Sequence, residues 1–186
     1  MSWKVHVIVT ANRIGTAGVV PYNKEEGLQY YVTPTGHRTA RLVIYDVPVY
    51  EVRIEKGASY QAIRFGLRKR GDSTPTTRGC DAGLSHNRVC TPSWVPGYSP
   101  HSFHGSSRRG AWRLLPGKNF LIHEGGDRRV RQVGGSIGCV EVLDGRWDAF
   151  LTEIETIGGS DCAQLSARQH VKVTLEHASF PDARLR

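Results

Sequence analysis

Apolar and polar residues alternate along much of this chain, and that alternation predicts strands. Trp3, Val5, Val7 and Val9 fall on one side of the first segment, with Lys4 and His6 on the other and Ile8 as an apolar exception. His6 faces outward on this reading and is assigned no chemistry. Gly15 to Gly27 reads as a turn-rich connector. Gln29 to Val32, Ala40 to Tyr45 and Val49 to Ile54 then read as strands of a meander, punctuated by Pro34, Gly36, Asp46 and Pro48. Between Lys56 and Arg70 the period is ambiguous: Tyr60, Ile63 and Leu67 have helical spacing, but Gly57 and Gly66 interrupt it. Val171, Val173 and Leu175 alternate with polar residues as a last strand, and the short polar stretch beyond Phe180 reads as a loose tail. A clear helical stripe occurs once, where Trp147, Phe150, Leu151, Ile154 and Ile157 share a face between a capping Asp144 and a terminating Gly158–Gly159 pair. That stripe is core packing and calls for no cofactor.

The span from Gly71 to Gly110 shows little periodicity and reads as a long loop, a kind of segment that usually serves function. It places His101, Phe103, His104 and Trp112 where they can roof a site. Its Cys80, Cys90, His101 and His104 lack the tight spacing of a zinc module, so no metal is expected.

Composition narrows the class. At 186 residues, positions 1–186 suit one domain, and 39% hydrophobic against 23% charged residues exclude a disordered chain. With 21 glycines and 9 prolines, the expected fold is mainly β with one or two short helices. A formal charge of +8 attracts polyanions: nucleic acid, an anionic membrane surface or cell-wall polymers. No stretch approaches the roughly 20 apolar residues of a membrane span. The opening MSWKVHVIVTANR lacks an apolar core followed by a small-residue cleavage site, so the expectation is a protein made in the cytoplasm and delivered, if at all, without a cleaved signal.

The candidate chemistry lies between Asn119 and Val142. Phe120, Leu121 and Ile122 form a short apolar strand that gives way, at His123, to Glu124 and two glycines. One loop later, Gly134, Gly135, Ser136, Ile137 and Gly138 lead into Cys139, from which a second apolar run continues through Val140 and Val142. Two strand ends can thereby bring an imidazole to a thiol. A cysteine attacks as thiolate, and an imidazole in contact takes the thiol proton and later returns it to a leaving amine. Gly138 lets the backbone turn sharply and aim amide hydrogens at an attacked carbonyl. Cys80, Cys90 and Cys162 read as buried thiols or disulfide partners, with no pairing selected.

A histidine, an intervening loop and then S-x-G-C followed by apolar residues resembles the active-site signature of YkuD-type L,D-transpeptidases. The specific part of the resemblance lies within 119–177. It implies a β-sandwich-like catalytic fold, Cys139 as the acylated nucleophile, His123 as its base, and Ser136 with Gly138 shaping the loop and oxyanion site. It also implies a peptidoglycan stem peptide as substrate, attacked after its third residue, with the acyl group passing to an amine or to water and no cofactor. Two positions depart from the pattern: Ile137 stands where the family usually has histidine, and Glu141 where it commonly has arginine. Arg128 and Arg129, with Arg131, lie on the intervening loop and are candidates for the missing positive charge.

Other readings remain. A cysteine amidase or peptidase of the NlpC kind usually places cysteine before histidine, the reverse of the order here. A non-enzymatic basic module for cell wall or nucleic acid fits the charge, but no recognition helix or aromatic-basic strand is present, so no nucleic acid is expected. An enzyme of the cell wall made without a signal suggests an antibacterial effector, with a delivery apparatus such as type VI secretion and an immunity protein as partners.

Overall fold

The alternation that begins at Val5 runs on to Val20, so the first strand, β1 (Val5–Val20), extends well into the segment expected to be a connector. Val19, Ala17 and Gly15 pair with Tyr45, Val47 and Val49, while register shifts on either side of Arg13 absorb the exposed residues Ala11 to Thr16 as a bulge. The structure, a computed structural model, describes residues 2–21, 28–32, 36, 38–67, 77–99, 105–129, 133–134, 136 and 138–186. Along them follow β2 (Leu28–Val32), β3 (Arg38–Leu42), β4 (Tyr45–Ile54), β5 (Ser59–Ile63), β6 (Gly66–Leu67), β7 (Thr77–Ala82), β8 (Arg88–Cys90), β9 (Ser93–Pro96), β10 (Gly110–Arg113), β11 (Leu121–Glu124), β12 (Val133–Gly134) and β13 (Val140–Val142). Two short helices, α1 (Trp147–Gly158) and α2 (Cys162–Ala167), precede β14 (Val171–Leu175) and β15 (Asp182–Leu185). The fold is mainly β with two short helices, as the composition implies.

One sheet runs in the order β6-β7-β15-β4-β5-β13-β11-β10-β9, and β1 joins it against β4. β1 also pairs in parallel with β14 and β12, β8 flanks β14, and β2 with β3 forms a separate hairpin. The sheet serves two cores. The first gathers Val5, Val7 and Val9 of β1 with Trp112, Ile122, Val140, Val142 and the stripe Trp147, Phe150, Leu151 and Ile154 of α1. The second takes Ala17 and Val19 from the far half of β1 with Tyr45, Val47, Ile63, Phe65 and Leu143. Where β1 passes between them, the buried Arg64 guanidinium donates to the carbonyls of Thr10 (2.9 Å), Leu84 (3.2 Å) and Glu176. It stitches the bulge of β1 to the residue after β14 without a carboxylate in contact.

Several expectations are corrected by pairing that local sequence does not show. The ambiguity after Lys56 is settled in favour of strand as far as Leu67, with β5 and β6, because Ala62 and Ile63 meet β13. The described part of the span 71–110 holds three short strands: β7 between β6 and β15, β8 beside β14, and β9 at the end of the sheet beside β10. The tail is not loose: β15 is inserted between β4 and β7. Asp144 does not cap α1; it takes a positive φ of 61° and binds Arg128, and the N-cap is Arg146 with no side-chain bond. The C-terminal stop is as expected, with Gly159 left-handed at φ 68° and its N–H on the Glu155 carbonyl. α2 was not anticipated, though Asp161 caps it through the N–H of Gln164.

Gly110 opens β10 at φ 151°, and a Cβ there would lie 2.1 Å from the Trp94 ring. Gly110→Ala should therefore lower stability by about 3 kcal/mol, through overpacking and backbone strain together, read as a shift of the urea midpoint at unchanged slope.

Candidate active site

The site is built on one pair of strands. β11 and β13 run parallel with Ile122 beside Val140, His123 beside Glu141 and Glu124 beside Val142. Ile122 and Val140 point into the first core, so alternation turns Leu121, His123, Cys139 and Glu141 to the opposite face. Cys139 lies diagonally from His123 on that face, about 8 Å between Cα atoms for a strand spacing and two residues of rise. This is within reach of two side chains directed at each other. Gly125 leaves room for Glu141 beside this pair of strands, since a Cβ on it would meet the Glu141 Cβ at 2.9 Å.

His123 is 3% exposed. Its Nδ1 lies 2.6 Å from the carbonyl oxygen of Glu124. A carbonyl only accepts, so Nδ1 carries hydrogen and Nε2 is the nitrogen that exchanges a proton. The Tyr98 ring lies 5.4 Å from the imidazole, centroid to centroid, and packs beside Ala111, Leu121 and Cys139. The Glu124 side chain faces away and receives the N–H groups of Gly105 and Ser106, each at 2.8 Å, and the Ser106 hydroxyl at 2.7 Å. Asp148, in the first turn of α1, receives the N–H groups of Ser107 (2.9 Å) and Arg108 (3.2 Å). The chain entering β10 is thus fastened at two points next to the histidine. Of the expected roof, His101, Phe103 and His104 lie outside the described residues. Trp112 is not at the mouth: it is buried in the first core against Trp94, because its register partner is Ile122.

Cys139 follows Gly138, whose φ of 115° is the left-handed turn that the glycine was expected to provide. Ser136 closes the turn, its Oγ accepting from the Gly138 N–H at 3.1 Å and donating to the Cys139 carbonyl at 3.2 Å. The Gly138 amide is therefore engaged within the loop. The Cys139 thiol donates to the Asn119 carbonyl at 3.4 Å. Burial pushes it up to about 11 and the Glu141 charge adds to this, while the Leu121 N–H pulls the other way. Cys139, Cys90 and Cys162 are free thiols, so Cys90 is not paired with Cys80.

Glu141, noted only as a departure, is the least accommodated group here. It is 2% exposed, its Oε1 is 3.9 Å from His123 Nε2, and its Oε2 has no partner. That separation is too long for a hydrogen bond, and burial alone pushes the carboxyl up to about 8. Burial thus favours the protonated, neutral carboxyl beside the imidazole.

The arginine loop is committed internally. Arg128 Nε lies 3.1 Å from both oxygens of Asp144, and Arg129 grips Asp127 at 2.9 and 2.6 Å. Arg131 and Ile137 are outside the described residues. Arg113, which the sequence does not single out, pairs with Leu121 and so shares the face of Cys139 across β11. It is half-buried, and its Nε is buried without a partner. Only the strand register reveals it. Among the described residues no three His, Cys, Asp or Glu side chains gather as metal ligands, and no helix is long and apolar enough to cross a membrane. Compared with protein-family models, curated proteins and solved structures, the chain finds no match.

Because the folded state raises the Glu141 pKa, it favours the protonated carboxyl, and stability from this group is full below about 4.5 and is lost as pH rises through about 8. Glu141→Gln should accordingly match wild type near pH 4 and exceed it at pH 8, by on the order of 3 kcal/mol, in urea unfolding followed across that range.

Proposed function

We propose that this chain is a cysteine acyl transferase acting on peptidoglycan stem peptides, working as an L,D-transpeptidase, an L,D-carboxypeptidase or a D-amino-acid exchange enzyme. The observation that supports the reading is that the register of β11 and β13 puts Cys139 and His123 on one face, with Nδ1 of the histidine already held by the Glu124 carbonyl. That bond fixes the ring and the tautomer, so that Nε2 is the nitrogen able to exchange a proton with a thiol nucleophile.

In the resting state the thiol proton rests on the Asn119 carbonyl. On this reading the arriving peptide takes over that space, and the proton moves from Sγ to Nε2. Sulfur bonds to the carbonyl carbon of the third residue, the C–N bond breaks, and Nε2 returns the proton to the departing amine. An incoming amine or water then releases the acyl group by the reverse sequence. Arg113, on the same face and with an unpartnered Nε, suits a carboxylate of the stem peptide better than Arg128 and Arg129, whose charges are offset by Asp127 and Asp144. An antibacterial effector delivered to the periplasm, with a cognate immunity protein, accords with this chemistry.

Purified tetrapeptide and pentapeptide muropeptides, incubated with the protein and analysed by mass spectrometry, should lose the terminal residue, exchange it or dimerise. Cys139→Ala should abolish every product, and His123→Ala should slow them about 10³-fold. Unchanged product with Cys139→Ala would sink the mechanism. Arg113→Gln should raise KM about tenfold with little change in kcat. Exported to the periplasm of a bacterial host, the wild type should be toxic and Cys139→Ala harmless.

A further inference from the structure

We propose that Glu141 is the third proton-bearing group of this site, a positioning residue that acts through His123 and through its charge on Cys139 to set when the thiol ionises. The inference rests on the acyl-transfer reading for its purpose, though its geometry stands alone. Glu141 is the register partner of His123 and lies two residues along β13 from Cys139, on the same face. The three groups are all buried.

Among the described residues the charged or titratable groups around the carboxyl are few. From β11 it meets His123, and Gly125 presses on its Cβ. β5 offers the apolar Ile63. Along its own strand the titratable neighbour is Cys139, Tyr98 lies on the imidazole, and Arg113 stands across β11. Of these described groups His123 alone makes a charged contact with it. A structural glutamate would be expected to satisfy both oxygens, as Glu124 does one residue from His123. Glu141 leaves Oε2 unpartnered in a dry setting.

Two protonation states follow. With Glu141 neutral, proton transfer from Cys139 to Nε2 leaves a thiolate and an imidazolium beside an uncharged acid. With Glu141 ionised, its charge holds a proton on His123, so that the ring no longer accepts one from the thiol, and it opposes a second anion on Cys139. Loss of the Glu141 proton therefore makes the next proton, that of the thiol, harder to remove. The titrations are coupled, and each records the state of the other.

The experiment is the rate of Cys139 alkylation by iodoacetamide against pH, read by mass spectrometry of the peptide that carries Cys139. It needs no peptidoglycan, so its outcome is independent of whether muropeptides are substrates. In wild type the rate should rise with pH, flatten into a shoulder above about 8 where Glu141 ionises, and rise again toward about 11. Glu141→Gln should remove the shoulder and alkylate about tenfold faster at pH 9, the effect of deleting one charge some two residues away. Glu141→Asp, which keeps the charge, should restore a shoulder. A single featureless rise in wild type, or profiles that coincide for wild type and Glu141→Gln, would overturn the proposal. Coincident profiles alongside active muropeptide turnover would remove Glu141's role and leave the acyl-transfer reading intact.

Discussion

Everything at the site depends on two short strands being parallel and in register. β11 and β13 contribute only four and three residues, yet their pairing decides which side chains face the helices and which face outward. A slip of one residue would send Cys139 and Glu141 into the core with Trp147 and bring Val140 and Val142 to His123. The register is held from both sides. β5 pairs with β13 and β10 with β11, while Gly125 removes the one Cβ that would push Glu141 away. The turn built by Ser136 and Gly138 then sets how Cys139 enters its strand.

Three charged side chains are taken out of water nearby, and each is treated differently. Arg64 is neutralised by carbonyl dipoles from three separate segments, so its burial is a structural bond. Glu124 collects backbone and hydroxyl donors and fastens the chain ahead of β10. Glu141 receives neither dipoles nor donors on Oε2, and the outcome is a carboxyl that holds its proton into the neutral range. A buried group left uncompensated next to a nucleophile is where function is to be sought, since the fold gains nothing from it.

The sequence made the strand class and the chemical pair readable because both are local. His123 and Cys139 announce themselves by standing at the ends of apolar runs, and α1 by its stripe. What it concealed was non-local. The far half of β1 looks like a connector because Gly15 and Gly18 have no strand propensity of their own, yet β4 supplies the partner. β15 looks like a tail until β4 and β7 enclose it. Arg113 and Glu141 belong to the site only through register across strands, which no spacing along the chain reports. Asp144 was misassigned because a carboxylate before a helix resembles a cap, while in space Arg128 competes for it and wins.

The parallel pairing of β1 with β14 brings Val5 beside Val171 and Val9 beside Leu175. A chain emerging from the ribosome cannot form that ladder until Val171 to Leu175 have been made, and Arg64 cannot find the Glu176 carbonyl any sooner. Folding of this topology is correspondingly slow, governed by closure of the longest loop the molecule contains. Trp112, Ile122 and Val140 share their core with Val5 and Val173, so the strands that carry the nucleophile complete their packing only when that ladder closes.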